Sequence, residues 1–275
     1  MAIAEFFKYT VYGLTLQVNR PLPALISASA DAPVDVWFDL MIEEKLRLPS
    51  ADVENPSSGV KLISKADSNY FHLWFRGGDG QLDFELDAEG NHILATWNLA
   101  VIEGVSALLF GQVLGCALRL QGTLCLHACV MKMGEHAIAI VGESGAGKST
   151  MAAALARLGH AILSDDIAVL NECDQHWLVQ PGYPRLRLWP NSIKALYGSK
   201  EGLTRIFSFS EKCFIDLNNN GGTTAWQFHN EPLPLTAIYI LGERQPDLAA
   251  PNIEAIPSTS DDIDGASSGK PFTLR

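Results

Sequence analysis

Eight residues, Gly142-Glu143-Ser144-Gly145-Ala146-Gly147-Lys148-Ser149, constrain this chain more tightly than any others. An apolar run at 136–141 leads into them, and an alanine-rich run at 148–158, ended by Gly159, leads out. The spacing GxxxxGK[ST] arises by chance on the order of one per cent of the time in a chain of this length, from average residue frequencies. With a strand before it and a helix after it, the segment reads as a P-loop. Gly142, Gly145 and Gly147 let the backbone curl with its N–H groups turned inward, where a Cβ would block an anion. The helix that starts near Lys148 adds the positive end of its dipole. Lys148 then supplies a point charge to the β- and γ-phosphates, the Ser149 hydroxyl can ligate Mg²⁺, and Ser144 can touch the γ-phosphate. Glu143, Ala146 and Thr150 complete the expected nucleotide-binding segment. ATP with Mg²⁺ is the expected ligand.

The second element is Asp165-Asp166, 17 residues past Lys148, where the next parallel strand should end. Two adjacent carboxylates at the end of a buried strand repel each other when both are ionised and unpaired. A metal ion and a nearby cation relieve that. One acid can hold the metal, directly or through water, and the other can orient or deprotonate an acceptor hydroxyl. The plain alternative is a solvated turn. His127 is the third element. It sits in the apolar run 124–131, one strand before the P-loop strand, either facing the carboxylate pair or buried as a structural histidine. Arg185, Arg187 and Lys212 read as surface or structural charges, with service as a further cation as the alternative.

The rest of the chain divides by pattern. Residues 1–97 read as a β-rich region without catalytic features, with strands at 7–11, 14–18, 34–40, 60–63, 70–75, 82–86 and 92–97. Residues 98–120 read as a connecting helix capped by Asn98. Residues 121–250 form the P-loop core, with a late buried strand at 235–241 and a short helix opened by Pro190. The Ser-, Asp- and Pro-rich tail 251–275 reads as lacking fixed structure. The fold class is therefore α/β, a P-loop core preceded by a β-rich region.

Composition excludes some functions. A net charge of −11 with no Lys/Arg cluster is wrong for nucleic acid. Five cysteines, an odd number without a CxxC pair, suit a reduced compartment, and with no signal peptide the cytoplasm is expected. Cys125, His127 and Cys129 alternate in a way that suits a metal site or, more simply, a buried strand. The uncharged stretch 104–118 falls short of the ~20 residues of a membrane span and is expected to be a buried helix.

Together, the Leu126-His127-Ala128 strand, the loop, and Gly159-His160 leading to Asp165-Asp166 resemble the catalytic domain of HPr kinase/phosphorylase, over roughly 120–245. The resemblance implies a kinase core shared with the phosphoenolpyruvate carboxykinases. It implies an ATP- and Mg²⁺-dependent serine kinase acting on a peptide or small protein, with no membrane span and with homo-oligomers common in the family. Within it, Lys148 and Ser149 bind ATP-Mg²⁺, and His127, Asp165 and Asp166 surround the acceptor serine. Asp165 is taken as the base, and Asp166 with Ser149 as the metal side. The segment Pro181 to Pro190 is similar to stand-alone members, some of which phosphorylate lasso-peptide precursors. Thr150 replaces the family's glutamate, so kinase activity is expected without efficient phosphorylase activity. A small-molecule kinase and a nucleotide-dependent regulatory module are the competing readings. The acceptor and the oligomeric state are not legible in the sequence.

Overall fold

The computed structural model describes residues 5–42, 58–65, 68–77, 80–97, 102–174, 176–198, 202–207, 210–217, 226–243 and 252–254. The chain divides into two units, Met1–Gly242 and Glu243–Arg275, and every element below lies in the first. Of the predicted tail, only 252–254 fall among the described residues.

Period-two alternation builds the first sheet. Its strands are Phe7–Val11 (β1), Leu14–Val18 (β2), Ile26–Ser27 (β3), Val36–Ile42 (β4), Ser58–Lys65 (β5), Ser68–Gly77 (β6), Gly80–Asp87 (β7) and His92–Trp97 (β8). They hydrogen-bond in the order β3-β1-β2-β4-β8-β7-β6-β5. β4 runs parallel to both its neighbours, and the other pairs are antiparallel. Leu82, Phe84 and Leu86 of β7 are buried, and in register across from them lie Trp97, Ala95 and Ile93. Their neighbours Asp83 and Glu85 point to the other face, as a pleat requires. The short strand β3 was not foreseen.

The helix Ile102–Leu120 (α1) covers the apolar face. Val105, Leu109, Phe110, Val113, Leu114 and Ala117 join the sheet residues in one core, each larger side chain gaining roughly 1.5–3 kcal/mol by leaving water. The predicted cap, Asn98, lies outside the described residues. The helix is long and apolar enough to cross a membrane, longer than the uncharged stretch the sequence suggested, yet 61% of its most apolar 18-residue window is buried inside the protein. At its middle, Leu109–Val113 widens into a π-turn, a local form often found at functional sites.

The second sheet contains Leu124–Leu126 (β9), Ala128–Met133 (β10), His136–Val141 (β11), Ile162–Ser164 (β12), Ala168–Cys173 (β13) and His176–Gln180 (β14). Arg185–Leu188 (β15) and Cys213–Asp216 (β16) form a separate ribbon, and Leu233–Ile240 (β17) completes the second sheet in the order β12-β10-β11-β17-β14-β13-β9. Three expectations change here. The run 124–131 is two strands broken at His127, because β9 pairs with β13 whereas β10 pairs with β11 and β12. The strand leading to the Asp pair is not the hydrogen-bonded neighbour of β11. Antiparallel β10 lies between them, and the parallel neighbour of β11 is β17. Finally, β17 is not a buried strand. An unbroken apolar run reads as covered on both faces, but Ile238, Tyr239 and Ile240 are exposed.

This topology makes a corner. β12 and β9 are the two edges of the sheet. Asp165-Asp166-Ile167 joins β12 to β13, the strand beside β9, and His127 alone joins β9 to β10, the strand beside β12. Links that short span only a few ångströms per residue, so the sheet bends until its two ends meet. His127 and the Asp pair sit at that meeting point.

Candidate active site

The strand β11 delivers the glycine-rich loop, and the helix Lys148–Arg157 (α2) follows it. Gly147 is the N-cap at φ 111°, a left-handed conformation that favours glycine, and no side chain caps the helix. At the other end, Gly159 donates to the Ala156 carbonyl and His160 to that of Leu155, the paired bonds of a Schellman cap. The Lys148 side chain is buried and turned onto the loop, where its Nζ donates to the carbonyls of Gly142 at 2.7 Å and Glu143 at 3.0 Å. Glu143 and Ser144 are exposed on the loop. Thr150 turns away to share a 2.8 Å hydrogen bond with Ser192 on the helix Pro190–Tyr197 (α3).

The two aspartates occupy different environments. Asp165 is 2% exposed. Its Oδ1 accepts from the Ser149 hydroxyl and the Cys129 thiol, both at 2.9 Å, and its Oδ2 accepts the Arg187 backbone N–H at 2.9 Å. The Arg187 guanidinium lies 3.7 Å from the same Oδ2. Asp166 is the outer acid, with a side chain 23% exposed. Its Oδ2 takes a short ion pair from Arg187 Nη2, and its Oδ1 lies 3.5 Å from His127 Nδ1. That nitrogen also bonds the Asp166 backbone carbonyl at 2.8 Å. Since a carbonyl only accepts, Nδ1 carries a proton in this contact. His127 is therefore neither buried nor within a strand, and its side chain is 56% exposed.

The sequence grouped Ser149 with Asp166. The structure instead joins Ser149 to Asp165 and leaves Asp166 at the open side with His127. Continuous burial along β12 explains the difference. Ile162, Leu163 and Ser164 are buried and Asp165 continues inward, whereas Asp166 adopts φ 84° and leaves the strand direction. Asparagine and aspartate are the residues other than glycine that tolerate this conformation best. The turn is closed by Ser164, whose hydroxyl donates to the Ile167 carbonyl at 2.5 Å.

Arg187 is the residue that sequence reading undervalued. Burial alone would lower its pKa, but Tyr183, Asp166 and Asp165 raise it above the usual arginine value. The same contact works on Asp166, where burial would raise the carboxyl but the charge and hydrogen bond of Arg187 hold it below its ordinary value, helped by His127 and Lys212. The repulsion expected of adjacent carboxylates is thus answered by one guanidinium touching both. Burial, followed by the charge of Asp165, pushes the Cys129 thiol well up, which keeps it a neutral donor. Tyr183 is also buried, and burial leads the causes that push it up to about 12. Its hydroxyl has no hydrogen-bond partner among the described residues.

The N-terminal half contributes more than its sequence suggested. Gly111, in the π-turn of α1, faces the outer acid, and a Cβ there would stand 2.7 Å from Asp166 Oδ2. Tyr12 donates to the Phe110 carbonyl at 2.8 Å, and its backbone N–H bonds the Pro181 carbonyl at 2.8 Å. No period in the sequence marks a π-turn, so Gly111 carried no signal. The Arg185-Leu186-Arg187-Leu188 alternation did carry one, since two arginines share one face of an otherwise apolar strand.

No family model matches the chain, and no curated protein matches its sequence. Among solved structures the chain is similar to the HPr(Ser) kinase/phosphatase from Coxiella burnetii, with 18% identity and a TM-score of 0.31. The similar region covers 42% of this chain and 64% of that one. The architecture itself is mixed α/β with several sheets.

Proposed function

We propose that the chain is a phosphotransferase that uses ATP with Mg²⁺ to phosphorylate a serine hydroxyl of a peptide or small protein. The observation that carries this reading is the division of labour at the corner: Asp165 tied to Ser149 at the foot of the glycine-rich loop, Asp166 open to solvent beside His127. The donors fit the ion. Mg²⁺ takes hard oxygen ligands and keeps most of its shell for water and phosphate, so one hydroxyl and one carboxylate suffice. Among the described residues no group of three or more His, Cys, Asp or Glu is placed to hold a metal ion by itself, so the phosphates and water would supply the remaining ligands.

In this reading the roles of the two acids are the reverse of those expected from sequence. Ser149 and Asp165 would hold the metal, which when bound neutralises charge on the phosphates. Lys148 and the N-terminal amides of α2 hold the phosphates. Asp166 receives the proton of the acceptor hydroxyl as that oxygen bonds to the γ-phosphorus and the bridge to ADP breaks, and His127 fixes the position of Asp166. Arg187 keeps Asp166 ionised and ready to accept. A serine-bearing precursor peptide is the first acceptor class to try, on the resemblance of the 181–190 segment to the stand-alone kinases.

The test is nucleotide binding by calorimetry with and without Mg²⁺, followed by transfer of labelled phosphate to a pool of serine peptides. Lys148→Ala should abolish transfer while leaving the fold intact. If the wild-type chain fails to bind ATP with Mg²⁺, or the Ala variant transfers at the wild-type rate, the reading is wrong.

A further inference from the structure

Of three basic side chains, Lys148, Arg187 and Lys212, two are already engaged. Lys148 lies on the loop carbonyls, and Arg187 spans both carboxylates. The third is Lys212. In the β15–β16 ribbon Arg187 pairs with Phe214 and Leu188 with Cys213. Cross-strand partners share a face, and residues two apart on one strand share it too. Arg187, Trp189, Phe214 and Lys212 therefore project from the same side, with Lys212 diagonal to Arg187 and opposite Trp189. Its ammonium stands 5.3 Å from the centroid of the Trp189 ring, a cation–π distance. The Trp189 side of this contact is half exposed.

Lys212 is half-buried, and among the described residues no carboxylate lies within ion-pair distance of its ammonium. Burial and then the charge of Arg187 hold its pKa below the usual lysine value, while Asp165 and Asp166 pull the other way. A partly desolvated cation without a counter-ion is costly to keep as a structural feature. It fits a site that receives further negative charge. The group that would bring it is the phosphoryl in flight, whose charge spreads over three equatorial oxygens.

We infer that Lys212 is a catalytic cation for the transferring phosphoryl group, carried on the ribbon beside Arg187 and resting on the Trp189 indole. The inference deepens the phosphotransferase reading and rests on it. Arg187 is too committed to the two acids to serve this purpose, and Lys148 serves the loop side.

A test without an acceptor separates the two claims. ADP and Mg²⁺ are titrated alone and then with aluminium fluoride, a mimic of the phosphoryl in transit, using the full chain. The wild type should bind ADP and bind it much more tightly with fluoride. Lys212→Met should keep its ADP affinity and lose at least tenfold of the fluoride-dependent gain, and Lys212→Arg should restore most of it. Trp189→Phe removes the fluorescence change that accompanies trapping, which identifies Trp189 as its source. Equal trapping by Lys212→Met, or no trapping by a wild type that binds ADP, overturns the role of Lys212 and leaves the loop assignment standing. A wild type that binds no ADP overturns both.

Discussion

Replacing Arg187 by methionine should be among the most damaging single changes in the protein. Methionine keeps the length and the packing of the aliphatic stem but removes, among the described residues, the one cation that touches both carboxylates. Removing one partner of a buried ion pair costs about 3–5 kcal/mol, because the other charge is left uncompensated. Two features moderate that figure. Asp165 retains its bonds from Ser149, Cys129 and the Arg187 backbone, and Asp166 is partly open to water. The lower end, about 3 kcal/mol, is the expectation. With a urea m-value of about 2 kcal/mol/M, the midpoint should fall by about 1.5 M with no change in m. Adding Asp166→Asn to the variant removes the stranded charge and should recover about 1–2 kcal/mol, the size of coupling seen between groups in one network. The pH dependence follows by linkage. Asp166 has a folded pKa below its unfolded value of about 3.9, so its contribution is present above that value and lost as pH falls through the folded pKa. The gap between wild type and Arg187→Met should therefore narrow below about pH 4. Denaturation of the three proteins at pH 7 and pH 3 measures all of this. A single variant within about 0.5 kcal/mol of wild type, or a double variant no more stable than the single, would refute the reasoning.

Two further outcomes are expected. Asp165→Asn should weaken the Mg²⁺ dependence of ATP binding, whereas Asp166→Asn should leave binding nearly intact and lower single-turnover transfer roughly 10²–10⁴-fold; the opposite pattern would restore the order first read from sequence. Gly111→Ala should place a methyl against Asp166 Oδ2 and slow transfer at least tenfold without changing ADP affinity, and a wild-type rate in that variant would show that α1 does not wall the acceptor side.

Much of the architecture was legible because it obeys simple periods. Strands β5 to β8 alternate over eight or so residues with glycine or acidic turns between them, so each was placed within two residues of its observed ends. The helix α2 was bounded by its own chemistry, glycine before and Gly159 after. What failed was connectivity. An apolar run such as 124–131 looks continuous whether one strand or two use it, because burial on a sheet imposes the same residue types on both sides of a break. His127 marks the break, and it looks polar enough to be either a ligand or a turn. The exposed face of β17 failed for the same reason: its apolar run specifies the residue type but not what covers it.

The corner at His127 and the Asp pair shows where local reading ends. Lys148, Ser149 and the Asp pair are close in sequence and were found together, but which acid meets Ser149 depends on one backbone angle, φ 84° at Asp166. Nothing in the composition of Ser164-Asp165-Asp166-Ile167 fixes that angle. It follows from the topology: the chain must leave β12 at one edge of the sheet and enter β13 near the other within three residues, and a left-handed residue makes that reversal. The outward acid is then the one at the reversal, and the inward acid the one still on the strand. Arg187 arrives from a ribbon 21 residues later and Gly111 from a helix 55 residues earlier than Asp166, both set by packing of the shared core around Tyr183 and Phe110. Which acid is left partly open to solvent is thus chosen by how the sheet closes on itself.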